Sequence, residues 1–150
     1  MDVWREGLAH AGSRCIGLDG VPDQQDNYAR SGFVVQGKTG RYEGHLDRQA
    51  DPAASTADAS DLETLIALDA QVTGVDRNRF SHRWFEHSEH RQTVILRGGS
   101  EIAGCATFRT CAFGVKVGPL YAQTEQDALT LLESRPDSMP DGPLFIDVPQ

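Results

Sequence analysis

The sequence predicts a mixed α/β (α+β) chain with a break near its middle, and three features carry that reading. Residues 15–35 hold an apolar run, a short helix and another apolar run around Asp19–Phe33, DGVPDQQDNYARSGF. Leu46–Ser60, LDRQADPAASTADAS, is rich in Ala, Asp and Ser and nearly lacks large apolar residues, the composition of a linker. Beyond it the pattern reads helix, helix, strand, strand, strand, helix, strand, turning from helical to alternating at Thr93.

In chain order, Val3, Trp4, Leu8 and Ala9 fall at helical spacing, and Gly12-Ser13 ends that run. Ser13–Leu18 reads as a short buried strand. Pro22 and Asp23 open a helix, because proline suits the first turn and a carboxylate suits the positive end of the dipole. Ser31-Gly32 closes it, with Gly32 as a left-handed cap. Phe33–Val35 and Gly40–Glu43 read as strands joined by a turn at Gly37-Lys38-Thr39-Gly40.

After the linker, Ser60 and Glu63 have capping-box spacing, and Leu62, Leu65, Ile66 and Leu68 supply an apolar helix face that Gly74 interrupts. Asn78–Phe85 can form a second helix, with Phe80 and Trp84 inward. TVILR and EIAGCATFR pair across a Gly98-Gly99 hairpin turn, and Gly114–Tyr121 is a third strand. Thr124 caps a helix carrying Leu129, Leu131 and Leu132; Pro136–Pro143 is a loop; LFIDV is the final strand.

Composition excludes several classes. A net charge of −8 with no long basic run argues against a nucleic-acid backbone as partner. No apolar run approaches the roughly 20 residues of a membrane span, and MDVWREGLAHAG lacks the apolar core of a signal peptide. No membrane partner and a cytoplasmic location are therefore expected. The 3 cysteines, Cys15, Cys105 and Cys111, show no CxxC spacing, so neither a disulfide framework nor a zinc ribbon is expected. His82, His87 and His90 cluster with Glu86 and Glu89, but their spacing does not put ligands on one helix face, so a solvated charged face is expected and no metal. No G-x-S-x-G, P-loop or Rossmann fingerprint is present.

Tyr28-x-x-x-Gly32-Phe33, following a strand and a short helix, resembles the closing part of the GNAT-type N-acetyltransferase fold. VPDQQDNYARSGF, Arg41-Tyr42-Glu43-Gly44, LDAQVTGVDRNRF and FGVKVGPLYA are similar to a bacterial group with two GNAT-like domains in tandem. The resemblance implies a GNAT-like mixed, mostly antiparallel sheet flanked by helices, made of two incomplete portions. Residues 1–45 would be the C-terminal portion of one acetyltransferase domain and 46–60 a linker. Residues 61–150 would be a second domain truncated after its fifth strand. On that reading the chain is a fragment of a longer protein, and Met1 is an internal or mis-called start.

The implied activity is acetyl transfer from acetyl-CoA, as co-substrate, to the primary amine of a small molecule or peptide. Tyr28 would be the general acid that protonates the departing thiolate. The other reading of Tyr28 is a ring that packs and a hydroxyl satisfied locally; Asn27 reads as a helix-face polar residue. Gly118, Leu120 and Tyr121 are the residues that could line a pantetheine groove. The family's pyrophosphate loop needs glycines so that several N–H groups converge on phosphate. Tyr121–Ala128, YAQTEQDA, has no glycine and carries Glu125 and Asp127 where phosphate would sit. The second portion therefore reads as a degenerate or accessory copy, and the fragment alone as inactive. The alternative function is a non-catalytic binding or dimerisation module. Incomplete sheets leave open edges, which are expected to complement each other within a chain or to pair between chains as a homodimer.

Overall fold

The computed structural model describes residues 2–99 and 101–150, with side chains from Arg5 onward. Expectations placed on Met1 and on the side chains of Val3 and Trp4 lie outside the described residues. The chain forms two compact units, Met1–Gly37 and Lys38–Gln150.

The first unit is helical. Helix α1 spans Asp2–Ala11, and Gly12 follows at φ 58°. A 3-10 turn, Pro22–Gln24, leads into α2, Gln25–Arg30. Pro22 sits in the first turn as its missing N–H allows. Gly32, at φ 92°, ends the helix as expected. Two expected strands do not form: Ser13–Leu18 and Phe33–Val35 carry no strand, and Ile16, Leu18, Val34 and Val35 stay exposed. A short apolar run becomes a strand only where a neighbour supplies a ladder, and composition cannot report that neighbour.

The second unit is built on one six-stranded sheet. Its strands are β1 (Thr39–Gly44), β2 (Ala54–Thr56), β3 (Arg91–Gly98), β4 (Glu101–Thr110), β5 (Val115–Tyr121) and β6 (Leu144–Pro149). Their spatial order is β1-β6-β5-β4-β3-β2. Every pair is antiparallel except β5–β6. The sheet is thus mixed and mostly antiparallel. β1 lies against β6 over six rungs, from Thr39↔Pro149 to Gly44↔Leu144, so residues before 45 and after 60 are joined by a backbone ladder.

β2 falls inside Leu46–Ser60, the stretch expected to be a linker. Ala54, Ser55 and Thr56 are small or polar and pair with Leu96, Ile95 and Val94. Their order comes from backbone hydrogen bonds, which hydrophobic periodicity does not register.

Helix α3, Leu62–Thr73, is entered through a 3-10 turn at Ala59–Asp61. The cap differs from the expected Ser60/Glu63 box: Asp58 accepts from Ser60 N at 2.7 Å, and Asp61 accepts from Asp58 N at 3.1 Å. The box slides two residues upstream because a carboxylate offers a stronger acceptor than the Ser60 hydroxyl. Gly74 closes α3 at φ 69°. Helix α4 spans Asn78–Phe85 and α5 spans Glu125–Glu133.

The alternation of β residues sorts the core into two layers. Val94, Leu96, Ala106, Phe108, Val115, Val117 and Leu144 pack with Leu131 of α5. Ile95 and Cys105 point the other way and pack with Leu65, Ile66 and Phe85 of α3 and α4. Each fully buried large side chain, such as Phe108 or Leu131, contributes about 1.5–3 kcal/mol. In α4 Ser81 and Phe85 are buried, and Trp84, half-buried, packs against the same core layer as expected; Phe80 is 49% exposed, which corrects the expectation that it too faces inward. Phe80 stacks on Trp84 at 5.4 Å, with Arg77 over Phe80 and Arg91 over Trp84. The two guanidiniums cover the ring faces that packing would otherwise have to hide. Of the α5 leucines, Leu131 is buried and Leu129 is 37% exposed. Among the described residues, no helix is long and apolar enough to cross a membrane.

Candidate active site

β5 positions the expected groove residues. It matches β4 at Ala106↔Leu120 and Phe108↔Val117, so Gly118 and Pro119 together oppose Thr107. That is a bulge, and proline is tolerated there because no ladder N–H is demanded of it. On its other side β5 runs parallel to β6 for three rungs, Val115↔Leu144 to Val117↔Ile146. Beyond those rungs, Gly118–Tyr121 and Asp147–Pro149 share no ladder.

Gly118 is the first residue past the last rung. Its carbonyl accepts from Trp84 Nε1 at 3.1 Å, which ties α4 to the bulge. Leu120 is half-buried against the α5 layer. Tyr121 packs on the opposite layer, with α3 and α4. The three residues expected to line a groove therefore fall within the last four positions of β5, with Leu120 and Tyr121 on opposite faces.

The Tyr121 hydroxyl donates to Asp69 Oδ1 at 2.6 Å. Asp69 is 1% exposed and also accepts from Arg77 Nε and Nη2, at 2.8 and 2.7 Å, and from Ser81 Oγ at 2.6 Å. The Arg77 hydrogen bonds, supported by those of Ser81 and Tyr121, outweigh burial and hold the Asp69 carboxyl down to about 2. Burial and then the Asp69 bond push the Tyr121 phenol well above its ordinary value. Burial pushes the neighbouring Cys105 thiol up to about 12, so it is an inert core group. Asp69, Arg77 and Tyr121 lie in the LDAQVTGVDRNRF and FGVKVGPLYA stretches. The sequence does not reveal their meeting, because it pairs a mid-helix residue with a loop residue eight positions on and a strand end 52 positions on.

The start of α5 is closed on itself. Thr124 Oγ1 accepts from Asp127 N at 3.1 Å and donates to Asp127 Oδ2 at 2.8 Å, the cap expected of Thr124. Glu125 and Asp127 lie in the first turn. A phosphate there would meet two carboxylates and an amide already bonded.

Asp147 follows the last β5–β6 rung. Arg41 Nε and Nη2 donate to its two oxygens at 2.8 and 3.1 Å, and Lys116 Nζ also donates to it. Those hydrogen bonds, Arg41 first, hold the Asp147 carboxyl far below the usual range. It is a fixed anion rather than a proton acceptor at neutral pH.

Tyr28 lies in the first unit, on α2, half-buried. Its ring meets Phe33 edge-on at 6.3 Å. A Cβ on Gly20 would come within 2.8 Å of its Cε2, so Gly20 leaves room for the ring. Nearby, Asn27 Nδ2 donates to Gln24 and its Oδ1 accepts from Arg30, as suits a helix-face residue.

His82 pairs with Glu86 at 3.3 Å, and His90 lies 3.9 Å from Glu89. Among the described residues, no group of three or more His, Cys, Asp or Glu side chains is placed to hold a metal ion. A cavity of about 460 Å³ lies elsewhere, lined by residues including Arg48, Thr56, Gln92 and Arg135; none of Gly118, Leu120 or Tyr121 lines it.

A family model described as an acetyltransferase (GNAT) domain matches residues 65–150. A holothin acyltransferase from a Pseudoalteromonas species is 30% identical over 122 residues, which is 80% of this chain and 41% of the relative. The chain thus spans about two fifths of that relative's length. The crystal structure of a functionally unknown conserved protein from Staphylococcus epidermidis aligns with a TM-score of 0.61 at 8% identity, covering 99% of this chain and 67% of the other.

Proposed function

The chain belongs to the GNAT acetyltransferase family, and we propose that it is part of an N-acetyltransferase acting in the cytoplasm, moving acetyl from acetyl-CoA to a primary amine of a small molecule or peptide. The observation that supports this best is the β5–β6 pair, parallel for three rungs and then without a shared ladder, within residues that match the family. On this reading residues 1–45 close one GNAT-like domain and 61–150 form a second. The amine nitrogen attacks the thioester carbonyl carbon, the C–S bond breaks, the nitrogen sheds one proton to solvent as the amide forms, and the thiolate takes one. Tyr28 is the donor we propose in the complete protein. The test is thiol release from acetyl-CoA by the complete protein across a panel of primary amines. No release with any amine above the uncatalysed rate sinks the reading.

A second reading, that residues 61–150 are a non-catalytic accessory copy, is favoured by the self-capped, carboxylate-bearing start of α5. The Gly118 carbonyl and Tyr121 hydroxyl are also already bonded within the fold. The chain by itself is then expected to bind acetyl-CoA weakly or not at all. Micromolar affinity in a calorimetric titration would mean that Gly118, Leu120 and Tyr121 form a working pantetheine groove, and would remove the accessory reading.

A further inference from the structure

The outer edge of β1 is self-complementary. β1 ends the sheet, bonded on one side to β6. Gln150 N donates to Lys38 O at 2.9 Å, and this fixes the phase of the ladder. Residues 38, 40, 42 and 44 turn their N–H and C=O groups toward β6, so Thr39, Arg41 and Glu43 turn theirs outward. Pro149 opposite Thr39 agrees with that phase, since it has no N–H to give. Arg41–Gly44 are all exposed. Natural edge strands are blunted by charged side chains, proline, bulges or short length, and here Arg41 and Glu43 supply charges that oppose pairing with any strand that does not match them. Thr39–Gly44 has no proline or lysine and keeps one-to-one register over six rungs.

We propose that this edge pairs antiparallel with the same edge of a second copy of the chain, about a two-fold axis at Tyr42. Two six-stranded sheets then become one. In that register Arg41 faces Glu43 of the other copy, twice by symmetry, and these are the residues whose backbone groups point outward. Tyr42 faces Tyr42 as a close, non-hydrogen-bonded pair, and Gly40 faces Gly44, so nothing bulky flanks the tyrosines. Glu43 has no ion-pair partner within the described residues of one chain, whereas Arg41 already holds Asp147. The dimer would complete an alternating row of Lys116, Asp147, Arg41 and the second copy's Glu43 along one sheet face. Slipping the register by two residues sets Arg41 against Arg41 or Glu43 against Glu43, which opposes pairing. A slip by one mismatches inward and outward groups. Charge and hydrogen-bond phase therefore select the same register.

Sedimentation velocity of the whole chain over a concentration series tests this. A dimer should grow in with concentration. Glu43→Arg makes both cross-strand pairs like-charged, and Glu43→Pro removes an outward N–H without touching the β6 ladder. Both variants should stay monomeric where the parent dimerises, with unchanged far-UV circular dichroism. A positional check uses Cys15→Ser/Cys111→Ser, which leaves only the buried Cys105. Adding Tyr42→Cys should give a disulfide-linked dimer on mild oxidation, because the two-fold brings the two Cα atoms to about 4.5 Å. Glu43→Cys, opposite Arg41, should not. Three results would overturn the proposal: a monomer at every concentration, a dimer that survives both Glu43 variants, or cross-linking at 43 as fast as at 42.

Discussion

Tyr121 and Asp69 are joined by a 2.6 Å hydrogen bond that fastens the last residue of β5 to α3. The carboxylate is 1% exposed and takes three further hydrogen bonds from Arg77 and Ser81. Such a bond to a buried charge is worth more than a neutral one, because losing it leaves the charge less solvated. Tyr121→Phe keeps the ring in its layer and removes the donor. Urea unfolding should show a loss of about 1–2 kcal/mol. A tyrosine whose hydroxyl served only a bound cofactor would leave stability unchanged, so an identical midpoint for the Phe variant would return Tyr121 to the groove.

The same network sets an acid limb. Asp69 in the fold titrates at about 2, below its ordinary 3.8. Its folded value is depressed, so its contribution is complete above about pH 4 and fades as pH falls through about 2. The size is roughly 2 kcal/mol. Asp69→Asn should lower the melting temperature at pH 7 and flatten its fall between pH 4 and 2. A variant whose acid limb superimposes on the parent's would assign that limb to other carboxylates, Asp147 first.

Arg41 and Asp147 staple β1 to β6 from opposite ends of the second unit's sequence. Arg41→Ala leaves Lys116 to hold the carboxylate but removes the bidentate contact across the ladder. Amide exchange at Gly40 and Tyr42, which donate toward β6, should quicken, while β3 and β4 amides keep their protection. Unchanged exchange at those two residues would mean that the backbone ladder alone fixes β1.

Elements with strong local signals were legible in the sequence. Asn78–Phe85, the β3–β4 hairpin, β5 and the Thr124 cap all follow from apolar period or turn chemistry, although Gly98, expected in the hairpin turn, is the last rung of β3, opposite Glu101. β2 was not, because Ala54-Ser55-Thr56 gains its order from backbone pairing with β3. Phe33–Val35 failed in the opposite sense, with β-branched residues but no strand. Local composition states a preference, and a strand also needs an edge to join. The Asp69 network was hidden for a related reason. Its members are commonplace residue types at unrelated spacings, and only the packing of α3, α4 and β5 brings them together.

Tyr28 remains the residue whose role separates chemistry from packing. Its ring sits edge-on to Phe33 and over the space left by Gly20, contacts that a phenylalanine would keep. A phenol hydroxyl can donate a proton to a departing thiolate. If Tyr28 is the general acid of the complete protein, as proposed, Tyr28→Phe removes the proton donor alone. General acid–base groups typically contribute about a hundredfold or more, so kcat should fall by roughly that factor with little change in acetyl-CoA affinity or melting temperature. A packing role predicts the reverse: kcat held and at most a small loss of stability. Steady-state kinetics paired with a melting curve distinguishes the two. An unchanged kcat, with single-turnover data showing that chemistry limits the rate, would remove Tyr28 from the mechanism and leave its ring as the part that matters.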